Sequence, residues 1–208
     1  MENLITPKRS LELFSGSKNI SEVLKSHSFE TWIIDWNAKL NPSICCDIIN
    51  FNYQDCPDSF SLIWASPDCR CYSRSGKASN WEKEIIKYRQ YRYSPKTIEA
   101  SNALLLLFKT IEIIRHYSPV MWIIENPVGR MRHIPELKNF APFRYGVNYK
   151  DYGFEYSKET DLFSNIYLPL PQKTAKRPGT GVASVNSRYK RSIVPAGLIE
   201  EILKSICL

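Results

Sequence analysis

Two β-favouring runs, Phe60–Ala65 (FSLIWA) and Val120–Glu125 (VMWIIE), flank a long helical stretch from about Lys96 to Tyr117. This strand–helix–strand unit constrains the chain more than any other feature, because parallel strands need a crossover of a dozen or more residues. Ser94 and Pro95 mark the start of the helix. Leu104, Leu107, Phe108, Ile111 and Ile114 recur at helical spacing and read as its core-facing stripe. Further strands are expected at Leu11–Phe14, Thr31–Asp35 and, more weakly, Cys45–Phe51, with a helix beginning at Ile20–Leu24. Repetition of this pattern implies an α/β fold with a mostly parallel sheet and right-handed crossovers.

After Phe143 the pattern changes. Phe143–Tyr149 and Asp161–Tyr167 read as a closing pair of strands near the sheet edge. Residues Pro169–Arg191, rich in Pro, Gly, Ser and Lys, read as a basic loop. Val194–Ile206 reads as a last amphipathic helix, with Pro195 near its first turn. A chain of 208 residues that is 43% hydrophobic suits one domain with a full core.

The net charge of +7, with 12% aromatic residues, favours a polyanionic partner, because Lys and Arg contacts to phosphate release condensed counterions. Met1–Ser10 is polar, and the most apolar run, Ala103–Phe108, is far short of the roughly 20 residues that span a bilayer. The expectation is a cytoplasmic protein with no membrane association. Cys45, Cys46, Cys56, Cys69, Cys71 and Cys207 then read as free thiols. None makes a Cys-x-x-Cys pair, and the Cys69-x-Cys71 spacing lacks a second pair, so no metal site is expected.

Ligands of open α/β sheets bind at the carboxyl ends of the strands. Those ends carry, in order, Phe14-Ser15-Gly16-Ser17, Asp35-Trp36-Asn37, Asp47-Ile48, Ser66-Pro67-Asp68-Cys69 and Glu125-Asn126-Pro127. A glycine turn lets the backbone approach a ligand. Asp35 suits the two hydroxyls of a ribose, Trp36 can stack on an adenine, and Asp47 can accept from an exocyclic amine. No G-x-G-x-x-G follows, so a nucleoside fits better than a dinucleotide. Cys69 becomes a nucleophile if its thiol ionises; as an isolated cysteine it reads as a buried structural thiol.

The ordered motifs resemble the DNA (cytosine-5) methyltransferases, particularly the small forms of phages and viruses, over most of the chain. Leu11-Glu12-Leu13-Phe14-Ser15-Gly16 is similar to the family's cofactor loop, Asp35-Trp36 and Asp47-Ile48 to its ribose and adenine contacts, and Ser66-Pro67-Asp68-Cys69 to its nucleophile motif. Glu125-Asn126-Pro127 is similar to the Glu-Asn motif, and Arg191–Ile202 to the closing motif. The resemblance implies a Rossmann-like S-adenosylmethionine-dependent methyltransferase fold with helices on both faces of the sheet. It implies DNA as substrate, with RNA as an alternative. Cys69, Glu125 and Asn126 are the implied catalytic residues. Phe14, Ser15, Gly16, Ser17, Asp35, Trp36, Asp47, Ile48 and Pro67 are the implied cofactor contacts. Arg70, Ser73, Arg74, Lys158 and Thr160 are the implied substrate contacts. The target base has to leave the duplex to be reached. The stretch Arg70–Pro95, with interleaved basic and aromatic residues, reads as a loop over the substrate, or as a solvated helix from Trp81 to Tyr93.

Four positions depart from the family pattern. Asp68 stands where a second proline is usual. Ser157, Glu159 and Asp161 stand in place of a Gln-x-Arg-x-Arg motif. Lys18 and Asn19 replace glycines, and there is no room for a full target-recognition domain. Residues 1–168 are expected to form the catalytic domain, 169–191 a basic loop in place of target recognition, and 192–208 a helix completing the domain. Low sequence specificity, or a partner protein that supplies recognition, follows from this. A catalytically silent relative that binds nucleic acid or protein is the second reading.

Overall fold

The computed structural model describes residues 8–74, 78–87, 90–170 and 188–204. Five strands form the parallel part of one sheet: β1 (Arg9–Leu13), β2 (Glu30–Asp35), β3 (Ile44–Cys45), β4 (Leu62–Ala65) and, after a separate hairpin of β5 (Trp81–Lys87) and β6 (Gln90–Pro95), β7 (Met121–Pro127). The last two strands, β8 (Phe143–Asn148) and β9 (Glu159–Ser164), are antiparallel and give the order β3-β2-β1-β4-β7-β9-β8. The mostly parallel α/β sheet expected from the strand–helix repetition is therefore present.

Side-chain alternation along the central strands builds a core on each face. Ile63 and Ala65 of β4, with Trp122 and Ile124 of β7, face α2 (Ile98–Tyr117). Leu62 and Trp64, with Met121 and Ile123, share the second core with residues of α1 (Asn19–Ser26) and α5 (Ala196–Lys204). Thr97 caps α2 by accepting from the Ala100 amide at 3.3 Å. On α2 the stripe sits slightly differently from the sequence reading. Ala100, Ala103, Leu107, Ile111 and Ile114 are buried, whereas Phe108 lies on the solvent side.

Two sequence readings are corrected. Cys45–Phe51 is not one strand: β3 has two residues, and Asp47 caps a 3-10 turn over Ile48–Asn50 by accepting from the Ile49 amide at 3.0 Å. The described residues of the Trp81–Tyr93 stretch are neither open loop nor helix. They belong to the β5–β6 hairpin, in which Lys83 lies opposite Tyr93 and Ile85 opposite Tyr91. Its Trp, Ile and Tyr content favours a pleated, half-buried surface. A short helix α3 (Pro135–Phe140) and the turn α4 (Arg188–Ser192) complete the elements. Most of the expected 169–191 loop lies outside the described residues, as do Lys77, Tyr88, Arg89 and Cys207. Among the described residues no helix is long and apolar enough to cross a membrane.

Glu12 is buried on β1 and accepts from the Ser21 amide of α1 at 3.0 Å and from the Ser21 hydroxyl. Burial pushes its carboxyl up to about 7 despite these bonds, and Asp35 adds to the rise. A raised native pKa means that the folded chain holds a proton that the unfolded chain has lost. The associated stability is complete below about pH 4.5 and is lost as pH rises through about 7. Denaturant titration of Glu12→Gln should therefore show stability that falls less between pH 5 and pH 8 than in the parent. The difference should reach about 3 kcal/mol.

Candidate active site

The ends of β4 and β7 lie side by side, with Ala65 opposite Ile124. This register places the Ser66–Cys69 turn beside Glu125-Asn126. The Asn126 side-chain amide donates to the Pro67 carbonyl at 2.8 Å and fixes the turn. Downstream, Ser73 pairs with Gly129 in an isolated bridge, and the Arg130 amide donates to the Tyr72 carbonyl at 2.7 Å. Cys69 is thus held between two points at which its turn is fastened to the β7 segment. Its thiol is pushed above the usual cysteine value, first by burial, then by Glu125 and Asp68, with Lys158 acting in the opposite direction.

Glu125 is buried and carries its partners on one oxygen. The Tyr149 hydroxyl donates to Oε1 at 2.6 Å, and the Lys158 ammonium lies 3.4 Å from the same atom. Lys158 also donates to the Arg191 carbonyl at 3.0 Å and sits 4.5 Å above the Tyr149 ring. Burial raises the Tyr149 hydroxyl well above its ordinary range, so it remains a donor. Among the described residues these contacts engage Oε1 alone, which leaves Oε2 for a ligand edge. Thr160 lies buried on β9, opposite Pro127 of β7.

At the β1 end, Phe14, Gly16 and Lys18 all have positive φ (62°, 48° and 61°), so the chain turns sharply between β1 and α1. Asp35 gathers this turn: Oδ2 accepts from the Ser15 hydroxyl and the Gly16 amide, both at 3.4 Å, and Oδ1 accepts from the Asn37 amide at 2.8 Å. Ser17 donates to Asn19 at 2.7 Å. Trp36, next to Asp35, is 75% exposed and offers a bare ring face. At the neighbouring β4 and β7 ends, two buried polar atoms, Ser66 Oγ and Asn126 Oδ1, have no hydrogen-bond partner among the described residues. Asp47 is exposed, and the adjacent Ile48 is buried.

The acidic departures belong to a charge exchange. Asp161 is buried and accepts from Arg132 at 2.8 and 2.6 Å and from Arg144 at 3.0 Å. Glu159 pairs with Arg74 at 3.2 Å. Arginines thus converge on β9 from other elements, with the carboxylates on the strand. Asp68 is taken up by Arg70, whose Nε donates to it at 2.6 Å.

A comparison with curated proteins finds a Frog virus 3 protein named a probable DNA (cytosine-5)-methyltransferase. It is 30% identical over 171 residues, covering 80% of this chain and 75% of that protein. The chain belongs to the DNA (cytosine-5)-methyltransferase family. No family model matches it. Among solved structures, an E. coli prophage protein provisionally described as a DNA modification methyltransferase shares the fold. Its TM-score is 0.51 and its identity 13%, over 76% of this chain and 46% of that one. The chain spans less than half the length of that neighbour.

Family membership agrees with the resemblance drawn from the motifs. The structure brings Cys69, Glu125, Asn126, Pro67, Lys158 and Thr160 to one sheet edge, and Phe14–Ser17, Asp35 and Trp36 to the adjoining one. Arg70 and Arg74 are exposed beyond the turn, and Ser73 is engaged with Gly129. Tyr149 was missed by sequence reasoning. Its only signal was a tyrosine at the end of an edge strand, and its contact with Glu125 depends on a pairing across β9. Gly129 was missed as well: a Cβ there would lie 2.0 Å from the Tyr72 carbonyl oxygen. Gly129→Ala should destabilise the chain by about 2 kcal/mol or more in thermal or denaturant melts, because backbone has to move.

Proposed function

We propose that the chain transfers a methyl group to carbon 5 of cytosine in DNA, with Cys69 as the attacking thiolate and Glu125 on the base edge. The observation that carries this reading is the meeting of Cys69 with a buried, tyrosine- and lysine-held Glu125 at neighbouring strand ends, within a member of this family.

S-adenosylmethionine is the proposed methyl donor. The residues present suit it: a bent loop containing Gly16, an acidic Asp35, an uncovered Trp36 ring and two unpartnered buried polar atoms. When bound, it supplies an electrophilic methyl group on a sulfonium sulfur. Asp35 would exchange its long contacts for ribose hydroxyls, and Trp36 would stack on the adenine.

The target base is first turned out of the stack. Cys69 Sγ attacks C6, forming a C–S bond and moving ring electrons toward N3 and C5. Glu125, held on Oε1 by Tyr149 and Lys158, takes up a proton on Oε2 as the base enters, donates it to N3 as that density arrives, and receives it back when the ring is restored. C5 would take the methyl as the donor's methyl–sulfur bond breaks and leaves a neutral thioether; loss of the C5 proton to solvent then expels the thiolate and restores the ring. Lys158 offsets part of the negative charge shared by Cys69 and Glu125. Asn126 is a positioning residue, since its amide holds the Pro67 carbonyl. The raised Cys69 thiol has a kinetic consequence, because only the thiolate attacks.

With tritiated S-adenosylmethionine and duplex DNA, Cys69→Ser should abolish label transfer while leaving cofactor binding intact. Undiminished transfer would overturn the role of Cys69. The parent's kcat/KM should rise by about tenfold per pH unit between pH 7 and 9, as the thiol ionises. A profile flat over that range would contradict attack by a thiol of raised pKa.

A further inference from the structure

A basic groove runs away from the nucleophile turn between the β5–β6 hairpin and the α3–β8–β9 region. It consists of two adjoining cavities of about 260 and 360 Å³ that share Arg132 and His133. Arg74, Arg130, Arg132, Lys138 and Arg144 line it; among the described lining residues there is no carboxylate, although Glu159 pairs with Arg74 from outside the groove. The groove begins at Gly129, where the β7 segment is bridged to Ser73, so its near end is joined to the turn that carries Cys69.

The charge is organised. One buried carboxylate, Asp161, orients two guanidiniums, those of Arg132 and Arg144, which leaves a net positive charge at the rim. The His133 imidazolium is disfavoured by burial and then by Arg132, Lys138 and Arg144, as expected where positive potential accumulates. The hairpin forms the other wall. Tyr93 borders one cavity and Tyr91 the other, and their rings lie 5.5 and 6.2 Å from that of His133. Further along the ribbon, the register shifts between Ile85 and Lys87, and Ile85 and Ile86 are 70% and 50% exposed. Consecutive exposed isoleucines on a ribbon otherwise rich in charge suit an apolar contact. A two-stranded ribbon also has the width that the DNA major groove admits, where thymine methyl groups offer such a contact.

We propose that the basic groove and the β5–β6 hairpin form the DNA-docking surface of this chain, in place of a separate target-recognition domain. The groove holds backbone phosphates beside the flipped base, and Ile85 and Ile86 meet base edges. This rests on the reading of the chain as a DNA methyltransferase and assigns where, on the chain itself, the duplex is gripped and read.

The test reads binding alone. Fluorescence anisotropy on a labelled duplex across a salt series gives the slope of log affinity against log salt. Lys138→Ala and Arg144→Gln should each reduce that slope by about one, and the double variant by about two, on every duplex sequence. Lys25→Ala, on α1 away from the groove, should leave it unchanged. Ile85→Ser with Ile86→Ser should keep the salt slope and alter which sequences are enriched from a randomised duplex pool. Parent-like slopes in the Lys138 and Arg144 variants would overturn the proposal, as would an unaltered enrichment profile in the isoleucine variant. Melting temperatures close to the parent's establish that each variant is folded. A chain that binds as described yet transfers no methyl group would refute the proposed activity and leave this docking surface standing. Methyl transfer with unchanged slopes would do the reverse.

Discussion

The hydrogen bond from the Asn126 side chain to the Pro67 carbonyl, 2.8 Å long and buried, is the contact on which the arrangement of the site depends. Parallel pairing brings the β4 and β7 ends to the same level, but pairing alone does not aim a turn. The Asn126 bond draws the Ser66–Cys69 turn onto β7. The close packing of Gly129 on Tyr72 then clamps the other side of the cysteine. Two strand ends become one rigid unit carrying a thiol and a carboxylate. Preorganisation of this kind holds reactive groups in place without a cost at the moment of reaction.

Electrostatics around that unit follow one rule applied twice. A buried carboxylate is tolerable only when paired and hydrogen-bonded. Glu125 is satisfied by Tyr149 and Lys158, and Asp161 by Arg132 and Arg144. The first pairing points inward, to the proposed base-binding edge. The second points outward, where it stiffens guanidiniums along the groove. β9 supplies Asp161 itself, and Lys158 immediately precedes the strand, so this antiparallel neighbour of β7 links the chemistry to the surface.

Much of this was legible in the sequence, for identifiable reasons. The α2 crossover, the central strands and the polar residue at each strand end announce themselves through periodicity, and the site residues follow because parallel sheets collect strand ends on one side. Other features depend on contacts distant in the chain. Ile48–Asn50 is apolar enough to read as strand, yet Asp47 at its start captures the backbone into a 3-10 turn. The alternation Trp81, Lys83, Ile85 against Tyr91 and Tyr93 was open to a helical reading because charged residues fill the intervening positions, and only pairing across the hairpin decides it. Glu159 and Asp161 stood out against the family pattern because their arginine partners, Arg74, Arg132 and Arg144, come from three other segments. No local signal connects those partners.

Attack of Cys69 on the base beside Glu125 can be caught by trapping the chain on duplex DNA containing 5-fluoro-2′-deoxycytidine with S-adenosylmethionine, then digesting the complex for peptide mass spectrometry. The expected result is a covalent protein–DNA species whose modified peptide carries the nucleotide on Cys69. A nucleotide found on Cys71 would contradict it, as would methyl transfer to ordinary cytosine DNA with no covalent species on the fluorinated duplex.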